Sequence, residues 1–516
     1  MTQLLTVQVS KEHQALVIPA DPRIPNLFPH NKTLPTGAHV LPHGPEEVRV
    51  LRNLGYAVPS PIMSNYDWGG TTPFKAQETT TAMLVVEPRA YVLNTMGTGK
   101  TRSVLFAFDF LKRRGLVNKM LVAAPLSTLN FTWGREVFGV FPGYSVGVLH
   151  GSKAKRLKIL EEDHDIYVVN HDGLSVLGAE LKEKFDENDI FCIDEVAVFR
   201  NHRAKKHKAA AALTKDFKYV WGLTGTPTPR EPTNAFGIIK LINPTAPGAP
   251  KIFTHFRDEL MMRRGPFKWI PRAGAQEKVY KYMQPSVRFT LADCVDMPPI
   301  IHQDYEAELS PQQNKIYKEV VQHCRSLSEA GAITAVNEGV AINKLLQVAT
   351  GCVFVDGGKP VTLESSKRVK VLKELIEDNE ESVIVFAPYV PLVKHLHEEL
   401  QSLGVTIHMV HGGVSQKERD RIFNTFQNAP TKQVIVAHPA TMAHGLTLTA
   451  ASLITWYGPT YDLEIYEQAN ARIARPGQTA DRIVIAHIIG SKIERKVYKR
   501  LSEKEAMQGT LLELFE

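Results

Sequence analysis

The chain has 516 residues, of which 43% are hydrophobic, and its 61 lysines and arginines against 54 acidic residues give a net charge of +7. This length allows about three domains with cores of their own, and four widely spaced cysteines argue against both a disulfide framework and a zinc site. Because no apolar run could span a bilayer and the N-terminus does not resemble a signal peptide, we expect a soluble, intracellular protein.

The N-terminal part is unusually rich in proline. Residues 1–68 contain nine prolines, which exclude long helices because proline lacks a backbone N–H and obstructs the preceding turn. We therefore expect a small accessory region of strands and loops.

The first motif with a chemical signature is a glycine-rich loop. Ala90 to Asn94 is short and apolar like a buried strand, and the residues after Thr101 are typical of a helix. Between them lies the segment Met96-Gly97-Thr98-Gly99-Lys100-Thr101. Its glycines can turn backbone N–H groups toward phosphates, its lysine can reach the β and γ phosphates, and Thr101 can bind Mg²⁺. An ordinary glycine-rich turn is the alternative, which the order of strand, loop and helix disfavours.

Two carboxylates follow a later strand. The apolar stretch 189–193 ends in Asp194 and Glu195, at the carboxyl edge where parallel sheets place ligands. We assign Asp194 as a Mg²⁺ ligand and Glu195 as the base that orients the attacking water. The segment Leu223 to Pro227 follows the next strand, and its threonine hydroxyls can sense the γ-phosphate. Without the upstream loop, this Asp-Glu pair would be an ordinary charged turn.

Basic residues concentrate in two places. Residues 251–290 hold nine lysines or arginines against three acids, a local net charge of +6, and Phe267, Trp269, Tyr280 and Tyr282 are interleaved with them. Such a segment can bind nucleic-acid phosphates with an affinity that falls steeply with salt. A solvated connection whose aromatic rings pack internally is an equal alternative. The cluster from Arg200 to Lys208 allows the same two interpretations.

The second half predicts another parallel sheet. Its strand-like stretches are 382–386, 405–410, 433–437, 452–456 and 482–489. We predict helices near 312–325 and 340–347 and a charged closing helix from 492 to about 507.

A polar run follows the strand-like stretch 452–456. Gln468, Arg472 and Arg475 are spaced by four and three residues, which predicts one face of a helix. An arginine supplied from a second domain can stabilise the charge of phosphoryl transfer, so we predict one triphosphate site shared by both domains. A solvated basic helix face is the alternative.

The order of these segments resembles helicase superfamily two and, within it, the Swi/Snf family of double-stranded DNA translocases. Further segments similar to family motifs are 74–77, 122–127, 168–171, 309–317, 411–413 and 444–449. The resemblance covers about residues 70 to 505 and favours the compact bacterial or phage members. The chain departs from the family at Val196-Ala197, where Ala-His is usual, and at Thr228-Pro229-Arg230.

The resemblance implies an α/β fold with two RecA-like parallel-sheet domains in tandem. On this basis we assign 1–68 to the accessory region, 69–245 to the first domain, 246–365 to a basic, helical connection, and 366–516 to the second domain. The implied cofactors are ATP and Mg²⁺, with Phe74, Gln77, Gly445 and Gln468 completing the nucleotide site. The implied DNA-phosphate contacts are Ser127, Asn170, His411 and Thr441.

The implied activity is DNA-dependent ATP hydrolysis that drives movement along double-stranded DNA, remodelling it or displacing bound proteins. A strand-separating helicase and an ATP-gated clamp that does not travel remain alternatives. We expect a monomer without membrane association, in the cytoplasm of a bacterial or phage-infected cell.

Overall fold

The computed structural model describes residues 5–69, 72–228, 231–265, 269–294, 296–329, 335–355, 358–442 and 447–503. The chain divides into two compact units, with the boundary between Val295 and Asp296. None of the helices in the described ranges is long and apolar enough to cross a bilayer.

The first unit begins with a small strand-rich region, in agreement with its prolines. Its elements are β1 (Leu5–Thr6), β2 (Gln8–Ser10), β3 (Ala15–Ile18), α1 (Ile24–Leu27), β4 (Lys32–Thr33), β5 (His39–Pro42), α2 (Pro45–Asn53), β6 (Tyr56–Ala57) and α3 (Ile62–Asn65). Strands β2, β3, β5 and β4 form an antiparallel sheet, and β1 pairs with β6. Leu16, Leu51 and Val58 form its core together with Val86 of the following helix, so this region packs on the domain that follows.

That domain is built around a seven-stranded sheet. Its elements are α4 (Lys75–Val86), β7 (Arg89–Val92), α5 (Lys100–Arg113), β8 (Met120–Ala124), α6 (Arg135–Val140), β9 (Val146–Leu149), α7 (Lys153–Glu161), β10 (Ile166–Asn170), α8 (Gly173–Val176), α9 (Gly178–Lys184), β11 (Ile190–Asp194), α10 (Lys205–Leu213), β12 (Tyr219–Leu223), α11 (Ala235–Ile242), α12 (Phe253–Leu260), β13 (Met261–Arg263), β14 (Trp269–Pro271), α13 (Ala275–Tyr282) and β15 (Ser286–Val287). The seven strands of this sheet are all parallel, in the order β15-β7-β12-β11-β8-β10-β9, and β13 and β14 form a separate antiparallel pair. Apolar clusters cover both faces of the sheet, which is why β8 and β12 are apolar and buried throughout.

The basic segment 251–290 belongs to this first unit, since its last strand, β15, pairs with β7. Its aromatic residues have different environments. Tyr282 is buried and Trp269 lies under the Arg257 guanidinium, 4.0 Å from the ring centroid, whereas Tyr280 is 49% exposed. Phe267 lies outside the described residues. The internal packing predicted by the structural alternative is therefore present for two of these rings.

The second unit contains a six-stranded sheet. Its elements are β16 (Ile300–Glu306), α14 (Pro311–Glu329), α15 (Ala335–Thr350), β17 (Cys352–Phe354), β18 (Pro360–Thr362), α16 (Ser366–Glu377), β19 (Ser382–Phe386), α17 (Val390–Glu399), β20 (Thr406–Val410), α18 (Gln416–Gln427), β21 (Gln433–Ala437), α19 (Pro439–Met442), β22 (Ala451–Trp456), α20 (Leu463–Asn470), β23 (Ile483–Ile489) and α21 (Lys492–Ser502). The six strands of this sheet are all parallel, in the order β16-β23-β22-β19-β21-β20, and β17 and β18 form a separate antiparallel pair. All five strands predicted for this half are confirmed, and β16 is an additional strand from within the predicted connection.

The two sheets have the same topology. Numbered in chain order from β7 and from β16, the strands follow the order 1-6-5-2-4-3 in both, with β15 as an extra edge strand in the first sheet. The prediction of two parallel α/β domains in tandem, of the RecA-like type, is confirmed. Each loop that follows a strand therefore has a counterpart in the other unit.

Candidate nucleotide-binding site

The glycine-rich loop has the predicted setting between a strand and a helix. It connects β7 to α5, and Gly97 and Gly99 adopt positive φ angles of 81° and 75°, which glycine tolerates best. The Lys100 Nζ donates hydrogen bonds to the carbonyl oxygens of Asn94 (2.9 Å) and Thr95 (3.1 Å). Because α5 begins at Lys100, its first N–H groups and the positive end of its dipole lie at this loop.

Within the loop, Met96 is partly buried and Thr98 is 1% exposed. The Thr98 hydroxyl donates to the Thr95 carbonyl at 2.9 Å, which closes the turn. The loop is thus folded by its own hydrogen bonds.

Gln77 packs directly on this loop. Its Oε1 accepts the Phe74 backbone N–H (3.0 Å), and its Nε2 donates to the Thr98 carbonyl at 3.4 Å. A Cβ atom placed on Gly99 would lie 1.9 Å from Gln77 Nε2, so a larger residue at this position would displace the Gln77 amide from the loop. The structure therefore brings the predicted pair Phe74 and Gln77 to the phosphate loop.

The two acids lie at the carboxyl end of β11. Asp194 Oδ2 accepts the indole N–H of Trp133 at 3.0 Å, and its backbone carbonyl lies 2.8 Å from His171 Nε2. Burial lowers the pKa of His171, so its neutral ring donates to this carbonyl. His171 ends the motif-like segment 168–171, but the contacts of His171 and Trp133 with Asp194 are formed only in the folded chain.

Glu195 is connected to the next strand end. It is 7% exposed and has a left-handed backbone (φ 52°), which is uncommon outside glycine. Its Oε1 accepts a 2.7 Å hydrogen bond from the Thr224 hydroxyl, and Thr224 Oγ1 in turn accepts the Thr226 backbone N–H at 3.2 Å. This chain of contacts joins the acids to the threonine segment although the usual histidine is replaced by Ala197.

The threonine segment also lies beside the phosphate loop. A Cβ on Gly225 would be 3.5 Å from both the Asn94 carbonyl and the Thr95 Cα. The hydroxyls of Thr95 and Thr226 are buried and have no hydrogen-bond partner within the part of the chain that the structure describes. Buried polar atoms without protein partners indicate a place for ligand or water oxygens. Sequence reasoning missed Thr95.

Asn94 stands where the full phosphate-loop pattern has its first glycine, and its side chain has a structural role. It is 2% exposed, its Nδ2 donates to Thr80 Oγ1 (2.9 Å), and its Oδ1 accepts the Phe289 N–H (3.0 Å). The side chain therefore connects the start of the loop by hydrogen bonds to α4 and to the segment after β15.

The residues present fit a magnesium ion held mainly by phosphates. Among the described residues, no group of three or more His, Cys, Asp or Glu side chains could form a metal cage. Thr101 and Asp194 offer one hydroxyl and one partly exposed carboxylate, a small oxygen set that suits Mg²⁺ when substrate phosphates and water complete the shell.

The structure corrects the predicted placement of the two arginines. Helix α20 ends at Asn470, so Arg472 and Arg475 lie in the turns after it, and the prediction that they share a helix face with Gln468 is wrong. Pro476 disfavours helical backbone at the residue before it, and the following glycine has a φ of 93°.

These side chains are nevertheless close together within the second unit. Gln468 and Arg472 are each 1% exposed, and Arg472 Nε donates to the Gln468 carbonyl at 2.7 Å. Arg475 donates to Thr447 Oγ1 at 3.2 Å, and burial lowers its pKa to about 10, which leaves it charged at neutral pH. Gly445 lies outside the described residues.

Two of the predicted DNA contacts lie in the first unit. Asn170 ends β10, and its Oδ1 accepts a hydrogen bond from Arg156 Nη1 at 3.1 Å. The structure does not describe the Ser127 side chain. Arg156 is a candidate that sequence reasoning missed, although the basic start of α7 is a visible signal.

The other two lie in the second unit. His411 directly follows β20, and its Nδ1 accepts the Gly413 N–H at 3.0 Å, which orients the ring. Thr441 lies in α19 after β21, and its hydroxyl donates to the His438 carbonyl at 2.6 Å. Both residues therefore lie just after the carboxyl ends of strands.

A phosphate loop, paired acids and a linked threonine segment on one of two parallel-sheet domains are typical of nucleoside-triphosphate hydrolases. Residues 91–377 match the SNF2-related domain, and residues 367–477 match the helicase conserved C-terminal domain. The chain belongs to the SNF2-related family.

Several curated proteins are similar to this chain. An uncharacterized ATP-dependent helicase of Mycoplasma pneumoniae is 26% identical over 435 residues, covering 81% of this chain and 40% of the relative. A putative ATP-dependent helicase/translocase of Bacillus subtilis is 23% identical, with 82% and 46% covered. The putative protein p41 of Acyrthosiphon pisum secondary endosymbiont phage 1 is 24% identical, with 82% and 94% covered. The chain thus spans less than half the length of these two bacterial relatives.

Among solved structures, the Sulfolobus solfataricus SWI2/SNF2 ATPase core in complex with double-stranded DNA is 23% identical. The match covers 85% of this chain and 92% of that one, with a TM-score of 0.42.

Proposed function

We propose that this chain is a DNA-dependent ATPase that moves along double-stranded DNA. The observation that carries the proposal is the contact chain from Glu195 through Thr224 to Thr226, beside a loop that presents Lys100. These linked hydrogen bonds can transmit the presence or absence of the γ-phosphate to the strand ends of the first unit. The name of the Bacillus subtilis relative, a helicase/translocase, supports the same class of activity.

The residues divide the chemistry of hydrolysis between them. Lys100 exchanges the carbonyls of Asn94 and Thr95 for phosphate oxygens, and Thr101 and Asp194 would hold Mg²⁺. When bound, Mg²⁺ neutralises charge on the β and γ phosphates. Glu195 accepts the proton of the attacking water, and its hydrogen bond from Thr224 holds the carboxylate in one orientation.

Movement requires that the grip on DNA changes with the nucleotide state. We propose that the strand-end residues of both units, including Asn170, His411 and Thr441, contact phosphates of one DNA strand. The nucleotide before and after hydrolysis favours different conformations of the protein, and these conformations bind DNA with different affinities. Each cycle of hydrolysis then moves the protein one step along the DNA. The role of Arg472 and Arg475 in stabilising the transferred phosphoryl group stays a prediction.

The relatives from bacteria and a phage favour a setting in which this motor remodels DNA or clears bound proteins in the cytoplasm of such cells. We propose that it acts there as a monomer.

ATP turnover measured with duplex DNA, single-stranded DNA and RNA tests the proposal. We expect duplex DNA to stimulate turnover most, and ATP-dependent displacement of a third strand from a triplex without separation of the duplex. Preferred stimulation by single strands together with duplex unwinding would instead identify a helicase. Stimulated turnover without triplex displacement would identify a clamp.

A further inference from the structure

Two basic clusters that are separate in the sequence meet at one cleft of the first unit. The cleft has a volume of about 660 Å³ and is lined by α10, α11 and the start of α12. Lys208 comes from the cluster that follows the acids, and Lys251 begins the basic segment 251–290. No described residue of the phosphate loop, the acidic pair or the threonine segment lines this cleft.

The charge of the cleft is positive and uncompensated. Lys208, Lys215, Lys240 and Lys251 line it, no carboxylate is among its described lining residues, and none of these four lysines forms an ion pair within the described ranges. Burial, with a contribution from the charge of Lys251, lowers the pKa of Lys240. Ammonium groups that repel one another in this way favour a bound polyanion.

The aromatic rings that line the cleft pack against one another. His202 stacks on Phe253 with centroids 5.0 Å apart, and both rings contact Phe236 edge-on at 5.0 and 5.4 Å. The Lys240 Nζ lies 5.6 Å from the Phe236 ring centroid. Because these rings pack on one another as one wall, they are not separate platforms for stacked bases, and the cleft suits phosphates better than nucleobases.

A peptide is a poorer fit than a nucleic-acid backbone. Peptide-binding grooves use several apolar anchors. Among the described lining residues, only Ile252 is a large hydrophobic side chain that is exposed, at 56%. The cleft would therefore recognise a ligand mainly through its four lysine ammonium groups, and its aromatic rings pack on one another.

We propose that this cleft binds the sugar–phosphate backbone of DNA, as a second contact separate from the strand-end residues. The proposal rests on the proposed DNA-dependent function. The contact is independent of base sequence, and it increases the number of phosphates that the motor neutralises.

The test replaces one lysine of each basic cluster in the full chain. The cleft variant is Lys208→Gln/Lys251→Gln, both at exposed positions, and the control is Lys182→Gln/Lys218→Gln, exposed lysines of the same unit that are paired with Asp216 and Glu46. Both variants lose two charges. Duplex affinity is measured by fluorescence anisotropy over a series of NaCl concentrations.

We expect the cleft variant to bind duplex about a hundredfold more weakly at roughly 50 mM NaCl, with the difference disappearing near 1 M, and its slope of log affinity against log salt to fall by roughly 1.8, since each phosphate contact contributes about 0.9. The control and a Lys208→Arg/Lys251→Arg variant should retain the wild-type slope. ATP turnover without DNA should stay unchanged in all variants.

Chemical acetylation of the wild-type protein gives a second measurement that depends on no variant. Duplex DNA should protect Lys208 and Lys215 from acetylation. The proposal would be overturned if the cleft variant kept the wild-type affinity and salt slope, or if duplex DNA left the lysines unprotected. It would also be overturned if the cleft variant lost binding to polyglutamate, an acidic peptide tested in the same anisotropy assay, while its duplex binding stayed unchanged. Failure of the proposed function would be seen separately, as wild-type ATP turnover that DNA does not stimulate.

Discussion

The first strands of the two sheets, β7 and β16, occupy the same topological place but are followed by different structures. After β7, two glycines with positive φ angles form the loop that leads to Lys100. After β16, helix α14 begins within five residues, and its first turn is closed by Ser310 and Gln313, whose side chains accept each other's backbone N–H groups at 3.0 and 3.2 Å. The first N–H groups of α14 are thus satisfied by side chains of its own turn, whereas α5 begins directly after the glycine-rich loop.

The strand ends at β11 and β22 differ in the same sense. β11 is followed by Glu195, whereas the corresponding β22 is followed by Tyr457, whose carbonyl accepts a hydrogen bond from Arg368 at 2.8 Å. Arg368 is paired with the fully buried Glu494 at 2.6 Å. One topology therefore carries two arrangements of charge: the first unit has a carboxylate pair at the end of β11, and the second has a buried ion pair that holds its strand ends together.

Substitution of the loop lysine gives the largest expected effect and tests this comparison directly. Lys100→Ala should lower DNA-stimulated ATP turnover by about a thousandfold or more, because a positioned charge on the transferred phosphate is lost. The matched control is Lys315→Ala, at an exposed position in the corresponding helix α14 of the second unit, which should stay within about twofold of wild type. Normal turnover in the Lys100 variant would refute the nucleotide assignment.

Removal of Glu494 tests the structural use of charge in the second unit. Glu494→Ala leaves Arg368, which is 3% exposed at its side chain, without its counter-charge, and we expect a loss of about 3–5 kcal/mol in unfolding free energy. Glu503→Ala, near the end of the same helix α21 and 49% exposed at its side chain, should cost less than about 0.5 kcal/mol.

The measurement is the protection of β22 and β23 amides from hydrogen exchange in both variants, which reports the stability of the second unit separately from that of the first. Equal protection in both variants would show that the buried pair does not stabilise the strand ends.

Local patterns account for the parts of the fold that could be predicted from sequence. The buried strands are short apolar runs, and the loop before Lys100 carries glycines at the positions that need positive φ. The helix-face prediction for Arg472 and Arg475 used periodicity alone and overlooked Pro476, a local signal that ends the pattern.

Other parts depend on residues that meet only in the folded chain. Asn94 receives the N–H of Phe289, a partner 195 residues away, so its role could not be read from the loop. The same holds for the edge strand β15 and for the meeting of Lys208 with Lys251 at one cleft. Sequence spacing carries no record of such long-range contacts.

The smallest expected effect concerns the hydrogen bond between Thr224 and Glu195. Thr224 follows β12, and the residue that follows the corresponding strand β23 is Gly490, which has no side chain to form such a bond. Thr224→Val keeps the shape of the side chain but removes the hydroxyl that orients the carboxylate, so turnover should fall about tenfold, the size expected for one hydrogen bond to a charged group. Nucleotide affinity should stay the same, because Lys100 and the loop amides are untouched. Thr224→Ser restores the donor and should recover most of the turnover in the same steady-state assay. If valine and serine behave alike, the hydroxyl does not orient Glu195, and the first unit transmits the state of its phosphate by another route.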